Sequence, residues 1–324
     1  MIRALYLEYT IEFEILINIY EQNMFIDSLK KLEVTDVYIY ITNDILLNYN
    51  QQIKILNKKL NFFKIRPWIL NGDRTHIDVK IDPEASGPQE LYDQAQNLVI
   101  FNKTCDISEK FYGFILDIEV PDIIYGDIFY RGFHNCIPDI LLSKKIGSGI
   151  FPYTSQFEDR NNLLCNWLEI HSNIKNIISQ DDIKLSCALS NWTENYFGGP
   201  VKCTYNNITQ NWFYHICDIM DEISIMTYSN TIETVKEMGR NQLIYADKFM
   251  NKVKITFAIE TNNYGVNDKI SFGSLEGMNV ITLIEILEKI NKDMFKLHYS
   301  YNGVSIYDYS GITNLKKLNK KIEF

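Results

Sequence analysis

Short apolar runs alternate with segments of helical periodicity from one end of the sequence to the other. The runs are rich in Val, Ile, Leu and Tyr, a composition typical of strands that are covered on both faces, as in parallel sheets. Each run is followed by polar residues or by a segment whose apolar positions have helical spacing. We predict strands at Ala4–Glu8, Val37–Ile41, Ile65–Leu70, Phe114–Leu116, Leu185–Leu189, Ile223–Met226, Val253–Ile259 and Val304–Ile306.

The alternation of strand and helix signals predicts the architecture. FIDSLKKL from Phe25 has helical spacing, and so do Leu163–Ile178 and the segment that begins at Thr231. Eight strand–helix units without a break in composition predict a closed (β/α)8 TIM barrel, with residues 1–324 as a single domain. The alternative is an open doubly wound sheet, but the sequence contains neither GxGxxG nor GxxxxGK(S/T).

The longest connection between predicted elements covers about residues 120–160 and is rich in Tyr, Phe, Gly and Pro. Long loops within compact domains are usually functional or disordered. The aromatic content favours an ordered flap, and we expect this loop to select the substrate.

Charge and composition exclude several classes of partner. The formal net charge is −9 and the isoelectric point is about 5.2, so no excess of Lys or Arg is available to neutralise nucleic-acid phosphates or an anionic membrane surface. No apolar window approaches the roughly 18 residues of a membrane span. The first residues contain no secretion signal, and we expect a cytoplasmic protein with reduced thiols.

Motifs for metal, nucleophile or phosphate chemistry are absent from the sequence. The five histidines show no HxxxH or HxH spacing, and no GxSxG is present. A phosphate-handling barrel would need glycine-rich loops after its last two strands, and TNNYG, which begins at Thr261, has one glycine. We therefore expect neither a metal ion nor a cofactor, and rank a phosphate-handling barrel last.

Two carboxylates follow the fourth predicted strand in YGFILDIE, which begins at Tyr112. Asp117 and Glu119 are separated by one apolar residue, so an extended chain points both to the same side. Two like charges raise the pKa of one carboxyl, which can then act as a general acid while its neighbour stays ionised. The alternative is an acidic pair where the strand reaches solvent.

Further acids and aromatic residues follow the other predicted strands. If the barrel is right, all lie at its C-terminal rim, where active sites of this architecture occur. Such a set suits a sugar, because aromatic rings stack on sugar rings and carboxylates bind hydroxyls. The candidates are Glu8, Asp73, Asp117, Glu119, Trp192, Tyr228, Glu260, Asn262, Tyr307 and Asp308.

Ordinary structural roles remain open for many of the rim candidates. Glu8 and Asp308 could cap helices or face solvent, and Asp73 could pair with Arg74 at the surface. Trp192 could anchor a loop. Tyr228 and Tyr307 could do no more than close the top of the barrel.

YGFILDIE resembles a degenerate form of the DGxDxDxE signature of family 18 glycoside hydrolases, the chitinase-like barrels. IMTYSN, from Ile225, resembles their M-x-Y-(D/N) segment, and VSIYDYSG, from Val304, is similar to their last strand. The resemblance implies a barrel in which Glu119 is the acid, Asp117 orients an N-acetyl group of the substrate, and Tyr228 supports that group.

The chain departs from the family 18 pattern at four positions. Tyr112 replaces the first Asp of the signature and Ile115 the second, while Ser229 replaces the acid after the conserved Tyr of the sixth strand. Tyr307 replaces the usual Trp of the last strand. These departures argue against the mechanism of the family, in which an N-acetyl group of the substrate attacks the anomeric carbon.

A second resemblance implies a different mechanism. NGDRTH, from Asn71, and FAIETNN, from Phe257, resemble strand ends of uncharacterised bacterial glycoside-hydrolase-like barrels. Retaining enzymes of the large barrel clan place an acid/base after strand four and a nucleophile after strand seven, here Glu119 and Glu260. We predict a glycoside hydrolase with Glu119 as acid, Asp117 as its ionised partner, and Glu260 as nucleophile or substrate ligand. The alternative is a non-catalytic carbohydrate-binding barrel.

Overall fold

The computed structural model describes residues 2–7, 10–77, 87–120, 154–196, 199–248, 252–265 and 268–320. The strands in these segments are β1 (Ile2–Leu7), β2 (Asp36–Tyr40), β3 (Arg66–Asn71), β4 (Gly113–Leu116), β5 (Lys184–Ser190), β6 (Asn195–Tyr196), β7 (Gly199–Pro200), β8 (Lys202–Tyr205), β9 (Ile208–Asn211), β10 (Glu222–Met226), β11 (Lys254–Glu260) and β12 (Tyr301–Tyr307). Eight of them pair in parallel and close a barrel in the order β1-β12-β11-β10-β5-β4-β3-β2. The predicted (β/α)8 TIM barrel is confirmed.

The helices of the same segments surround the barrel. They are α1 (Thr10–Ile17), α2 (Ile19–Lys31), α3 (Asn43–Asn48), α4 (Asn50–Phe62), α5 (Gln89–Lys103), α6 (Thr154–Ile178), α7 (Trp212–Ile219), α8 (Ile232–Asp247), α9 (Val280–Leu297) and α10 (Tyr309–Lys320). Throughout the described ranges, none of them combines the length and apolar character that a membrane crossing requires.

Large and small side chains complement one another inside the barrel. Tyr6, Tyr38 and Trp68 extend from β1, β2 and β3 into an inner apolar cluster. On β10 and β12 the interior side chains are small, and the hydroxyls of Ser224 and Ser305 lie 2.8 Å apart. A Cβ on Gly113 would lie 2.2 Å from the Trp68 ring, so the glycine makes room for the indole. The interior is thus a packed core rather than a pore.

A charged group occupies the N-terminal end of the barrel, opposite the predicted active-site rim. The carboxylate of Asp36 accepts hydrogen bonds from the Arg66 guanidinium and the Trp68 indole, both at 2.8 Å. Glu222 is buried nearby at the start of β10. Burial, reinforced by the negative charge of Asp36, raises the pKa of Glu222 to about 7. We call Asp36, Arg66 and Glu222 the basal cluster.

The connections differ from the prediction in two places. Helix α6 begins at Thr154, earlier than the predicted Leu163, whereas residues 121–153 of the predicted aromatic loop lie outside the described residues. The predicted loop between β5 and α7 contains two short antiparallel ladders, β6–β7 and β8–β9. Asn206 and Asn207 both have positive φ, as a two-residue hairpin turn requires, and this turn joins β8 to β9.

Candidate functional site

The side chains of β4 and the residues after it alternate between two environments. Phe114, Leu116, Ile118 and Val120 all belong to the outer core between strands and helices. The Trp167 indole fixes this register by donating a 2.9 Å hydrogen bond to the carbonyl of Ile118.

The intervening positions point the other way, because side chains alternate along an extended chain. Ile115 belongs to the inner cluster, Asp117 is half-buried, and Glu119 is exposed. The two carboxylates therefore lie on the barrel side of the chain, above the inner cluster.

Asp117 lies within the electrostatic reach of a tyrosine group at the mouth of the barrel. Burial raises the pKa of the Tyr228 phenol well above its usual range, and the charges of Tyr6, Asp117 and Glu260 reinforce the rise. The Tyr228 and Tyr307 rings are 6.0 Å apart between centroids, and Tyr307 is 5.7 Å from Tyr6. The aromatic rings thus join the inner cluster to the ends of β4, β10, β11 and β12.

Glu260 ends β11 and is held by a set of donors. Its Oε1 atom accepts hydrogen bonds from the backbone N–H of Thr261 and of Asn262, each at 2.7 Å, and from Asn262 Nδ2 at 3.1 Å. Its Oε2 atom accepts from the Tyr264 hydroxyl at 3.2 Å. Only 2% of the residue is exposed. Burial raises the pKa of Glu260, whereas the donors from Asn262, Thr261 and Tyr264 lower it.

Asn262 connects Glu260 to the acid that follows β12. Its Nδ2 atom donates to Glu260 and, at 3.0 Å, to Asp308 Oδ1, while its Oδ1 atom accepts from the Ser310 hydroxyl at 2.9 Å. Asp308 also accepts the backbone N–H of Gly311 at 3.2 Å, within the first turn of α10. Asp308 therefore caps α10, which agrees with the helix-capping alternative. It also binds Asn262, the residue that donates to Glu260.

Close backbone packing fixes the ends of β11 and β12 against each other. The backbone N–H of Thr261 donates to the carbonyl of Tyr307 at 2.7 Å, and the Thr261 hydroxyl reaches the same carbonyl at 3.1 Å. The Tyr307–Asp308 peptide bond is cis. A Cβ on Gly273 would lie 1.8 Å from the Thr261 carbonyl oxygen, and one on Gly311 would lie 2.4 Å from the Thr261 hydroxyl. Both glycines are needed for this approach.

Two of the predicted rim residues have their described contacts elsewhere, and a third, Glu8, lies outside the described residues. Asp73 has an exposed side chain that accepts the Thr75 N–H at 2.7 Å and pairs with His76, whose hydrogen bond lowers the pKa of Asp73. Trp192 stacks on Trp212 of α7, with ring centroids 6.2 Å apart, in the outer layer. The contacts of Trp192 therefore agree with the loop-anchor alternative.

Sequence reasoning did not identify two residues that shape the site. Tyr264 covers Oε2 of Glu260 although its own side chain is 57% exposed. Ser310 links Asn262 to Asp308, with a 2.5 Å hydrogen bond to the latter. The only sequence signal for Tyr264 was its position in the loop after β11. Across the residues that the structure covers, no group of three or more His, Cys, Asp or Glu side chains could hold a metal ion.

Comparison with solved structures reveals fold relatives, although no protein-family model and no curated protein sequence matches the chain. The PgaB (BpsB) glycoside hydrolase domain from Bordetella bronchiseptica is 10% identical with a TM-score of 0.50, covering 99% of this chain and 97% of that one. A GH18 chitinase from Pseudoalteromonas aurantia is 12% identical with a TM-score of 0.50, covering 99% and 100%.

A chitinase from Rhizomucor miehei, RmChi1, is 11% identical with a TM-score of 0.50 and covers 98% of this chain and 100% of that one. Similarity at these identities shows the fold alone. The chain therefore has a closed TIM-barrel fold, as the resemblance to family 18 implied.

Proposed function

We propose that this protein cleaves glycosidic bonds at the C-terminal mouth of its barrel, with Glu119 as general acid and Asp117 as its ionised partner. The observation that supports the proposal is the alternation of burial from Phe114 to Val120, in which Asp117 and Glu119 share their phase with Ile115 of the inner cluster. An exposed Glu119 can approach the oxygen of a glycosidic bond. Asp117 is less exposed, its charge helps to raise the pKa of the Tyr228 phenol, and it can orient or stabilise the sugar.

The chemistry requires a proton for the leaving oxygen and stabilisation of positive charge on the sugar ring. Glu119 donates the proton and becomes a carboxylate. Asp117 stays negative and faces the developing charge, while the Tyr228 hydroxyl supports whichever group attacks the anomeric carbon. We propose that the sugar contacts Tyr228, Tyr307, Asn262 and Asp308.

The contacts of Glu260 favour a role as a fixed anion that positions the substrate. A nucleophilic carboxylate needs an oxygen that can reach the anomeric carbon. Oε1 of Glu260 already accepts three N–H groups, Oε2 accepts the Tyr264 hydroxyl, and the residue is 2% exposed. Attack by Glu260 would first require Tyr264 to move away. This supports the scheme in which Glu119 and Asp117 carry the chemistry.

Release of reducing sugar from a broad glycan panel tests the proposal. Wild type, Glu119→Gln and Glu260→Gln are compared with Glu285→Gln, an exposed position on α9 that controls for the change of charge. We expect Glu119→Gln to lose at least about 100-fold in rate, as removal of a general acid does, and Glu285→Gln to match wild type. A wild type that is inactive on every glycan would reject the enzymatic function, and a Glu119→Gln variant with full activity would reject Glu119 as the general acid.

The second candidate is a carbohydrate-binding barrel without turnover. The observation that favours it is that the two oxygens of Glu260 accept four hydrogen bonds from the protein itself. A carboxylate bound in this way can shape a cleft without taking part in the chemistry. Calorimetric titration with the same glycans separates the two functions. Binding without product release by the wild type would establish the second candidate.

A further inference from the structure

Two cysteines meet on the outer side of the barrel, where α6 packs against the β8–β9 hairpin. Asn161 Oδ1 of α6 accepts a hydrogen bond from the backbone N–H of Thr204 at 2.8 Å. One helical turn later, the Cys165 thiol donates a hydrogen bond to the carbonyl of Thr204 at 3.1 Å. These two bonds hold the first strand of the hairpin against one face of the helix. Cys203 immediately precedes Thr204 and is fully buried.

The Cys165 thiol thus contacts the residue next to Cys203, which makes the two cysteines neighbours where α6 meets β8. Hydrogen bonding by Cys203 and by Asn161 lowers the pKa of Cys165, against the opposing effects of burial and of the Glu169 charge. Cys165 is half-buried, whereas Cys203 is fully buried. A thiol with a lowered pKa has a larger thiolate fraction and reacts faster with disulfides than an ordinary one.

The other described cysteines lack this combination. Burial raises the pKa of Cys187 and of Cys217, and both are enclosed in the outer core. Burial also raises the pKa of Cys105 at the end of α5, although this residue is half-buried like Cys165. None of the cysteines in the described part of the chain is in a disulfide.

We propose that Cys165 and Cys203 form a reversible disulfide, with Cys165 as the attacking thiol, which fastens the β8–β9 hairpin to α6. The partner reagent is a small-molecule disulfide such as glutathione disulfide.

The exchange proceeds in two steps. Cys165 loses its proton to water, and its thiolate attacks one sulfur of the reagent, which breaks the reagent's S–S bond and releases one thiolate. Cys203 then loses its proton and attacks the Cys165 sulfur, which releases the second thiolate. Two protein thiols are oxidised, the reagent is reduced to two thiols, and the released protons match those that the two leaving thiolates take up.

The disulfide would join two segments that the barrel sheet does not hold together. The hairpin lies outside the barrel, between β5 and α7, and the enclosed chain contains β5 and Trp192. A cross-link restricts the unfolded chain, and the effect grows with the length of the enclosed loop. Oxidation should therefore stabilise the protein and slow the opening of the hairpin.

Peptide mapping under non-reducing conditions tests the proposal on the full chain. Reduced protein is incubated with glutathione disulfide, blocked with an alkylating reagent, digested and analysed by mass spectrometry. We expect one linked peptide pair that contains Cys165 and Cys203, is cleaved by dithiothreitol, and accompanies a melting temperature several degrees higher. Cys165→Ser should abolish the link, whereas Cys105→Ser and Cys136→Ser should retain it.

Other outcomes would overturn the proposal. A stable glutathione adduct on Cys165 that does not resolve would show that Cys203 cannot reach the mixed disulfide. A link from Cys165 to Cys136, lost in Cys136→Ser, would assign the reaction to another partner. Because the wild type itself is mapped, the result does not depend on whether a variant of the buried Cys203 folds.

Discussion

Glu119 and Glu260, two acids at the mouth of the barrel, have different surroundings. Glu119 is exposed at the end of the segment after β4, whereas Glu260 is enclosed by N–H and O–H donors after β11. Desolvation disfavours the ionised form of Glu260, and the donors favour it. The pKa of Glu260 depends on the balance of these effects. Among the described residues, the donor to Oε2 is Tyr264, whose side chain is exposed.

Tyr264→Phe should raise the pKa of Glu260. The substitution removes the hydrogen bond from the Tyr264 hydroxyl, which lowers this pKa, and leaves the desolvation in place. Carbon-13 NMR of glutamate-labelled protein measures the titration directly. Tyr20→Phe, at an exposed position of α2, is the matched control. A pKa of Glu260 that stays the same or falls in Tyr264→Phe would mean that the tyrosine does not stabilise the carboxylate.

The strands were predictable because each buries a β-rich run on both faces, and this pattern is visible in the sequence. The connections were harder, since their structure depends on contacts with other elements. The β8–β9 hairpin is held by α6 through Asn161 and Cys165, which no local pattern indicates. Helix α6 begins inside a segment whose composition resembles a loop.

Gly311→Ala should destabilise the protein by about 2 kcal/mol even though alanine favours a helix by roughly 1 kcal/mol over glycine. The added Cβ of Gly311 would lie 2.4 Å from the Thr261 hydroxyl and 2.6 Å from the Thr261 carbonyl carbon, so α10 must move away from β11. Chemical denaturation measures the change in the free energy of unfolding. Asn314→Ala, at an exposed position of the same helix, should be neutral or stabilising. Equal stability of the two variants would show that α10 tolerates the side chain.

At the scale of the whole barrel, the N-terminal end has a structural role and the C-terminal end has the proposed catalytic role. The basal cluster of Asp36, Arg66 and Glu222 closes the N-terminal end with buried charges, while the C-terminal end carries the proposed site. Because the pKa of Glu222 is raised from 4.5 to about 7 on folding, the folded protein binds a proton more tightly there than the unfolded chain does. Stability from this group is complete below pH 4.5 and is lost as the pH rises through 7.

Glu222→Gln should therefore flatten the dependence of stability on pH between 4.5 and 7. At pH 8 the variant should be more stable than wild type by at most about 3 kcal/mol, the free energy of the full pKa shift. Urea denaturation at a series of pH values measures the effect, with Glu285→Gln as the exposed control. A Glu222→Gln variant that is less stable than wild type at pH 8 would show that the ionised carboxylate stabilises the basal cluster.

The sequence could predict that residues after different strands lie close together, because the ends of parallel barrel strands meet at one rim. That rule correctly joined Asp117, Tyr228, Glu260, Asn262 and Tyr307 in one neighbourhood. It could not give the direction of a side chain in a loop, and so it also grouped Trp192, which stacks on Trp212, and Asp73, which pairs with His76. The hydrogen bond of Tyr264 to Glu260 depends on the turn after β11, which the sequence did not reveal.

The most direct test of the central claim compares two leaving groups in wild type and Glu119→Gln. A general acid matters for an ordinary sugar leaving group and matters little for an activated aryl group that departs without a proton. The substrates are a glycan that wild type binds and the matching dinitrophenyl glycoside. We predict that Glu119→Gln loses at least about 100-fold in kcat on the glycan but far less on the aryl glycoside. Equal losses on both substrates, or no loss on either, would contradict the assignment of Glu119 as the acid.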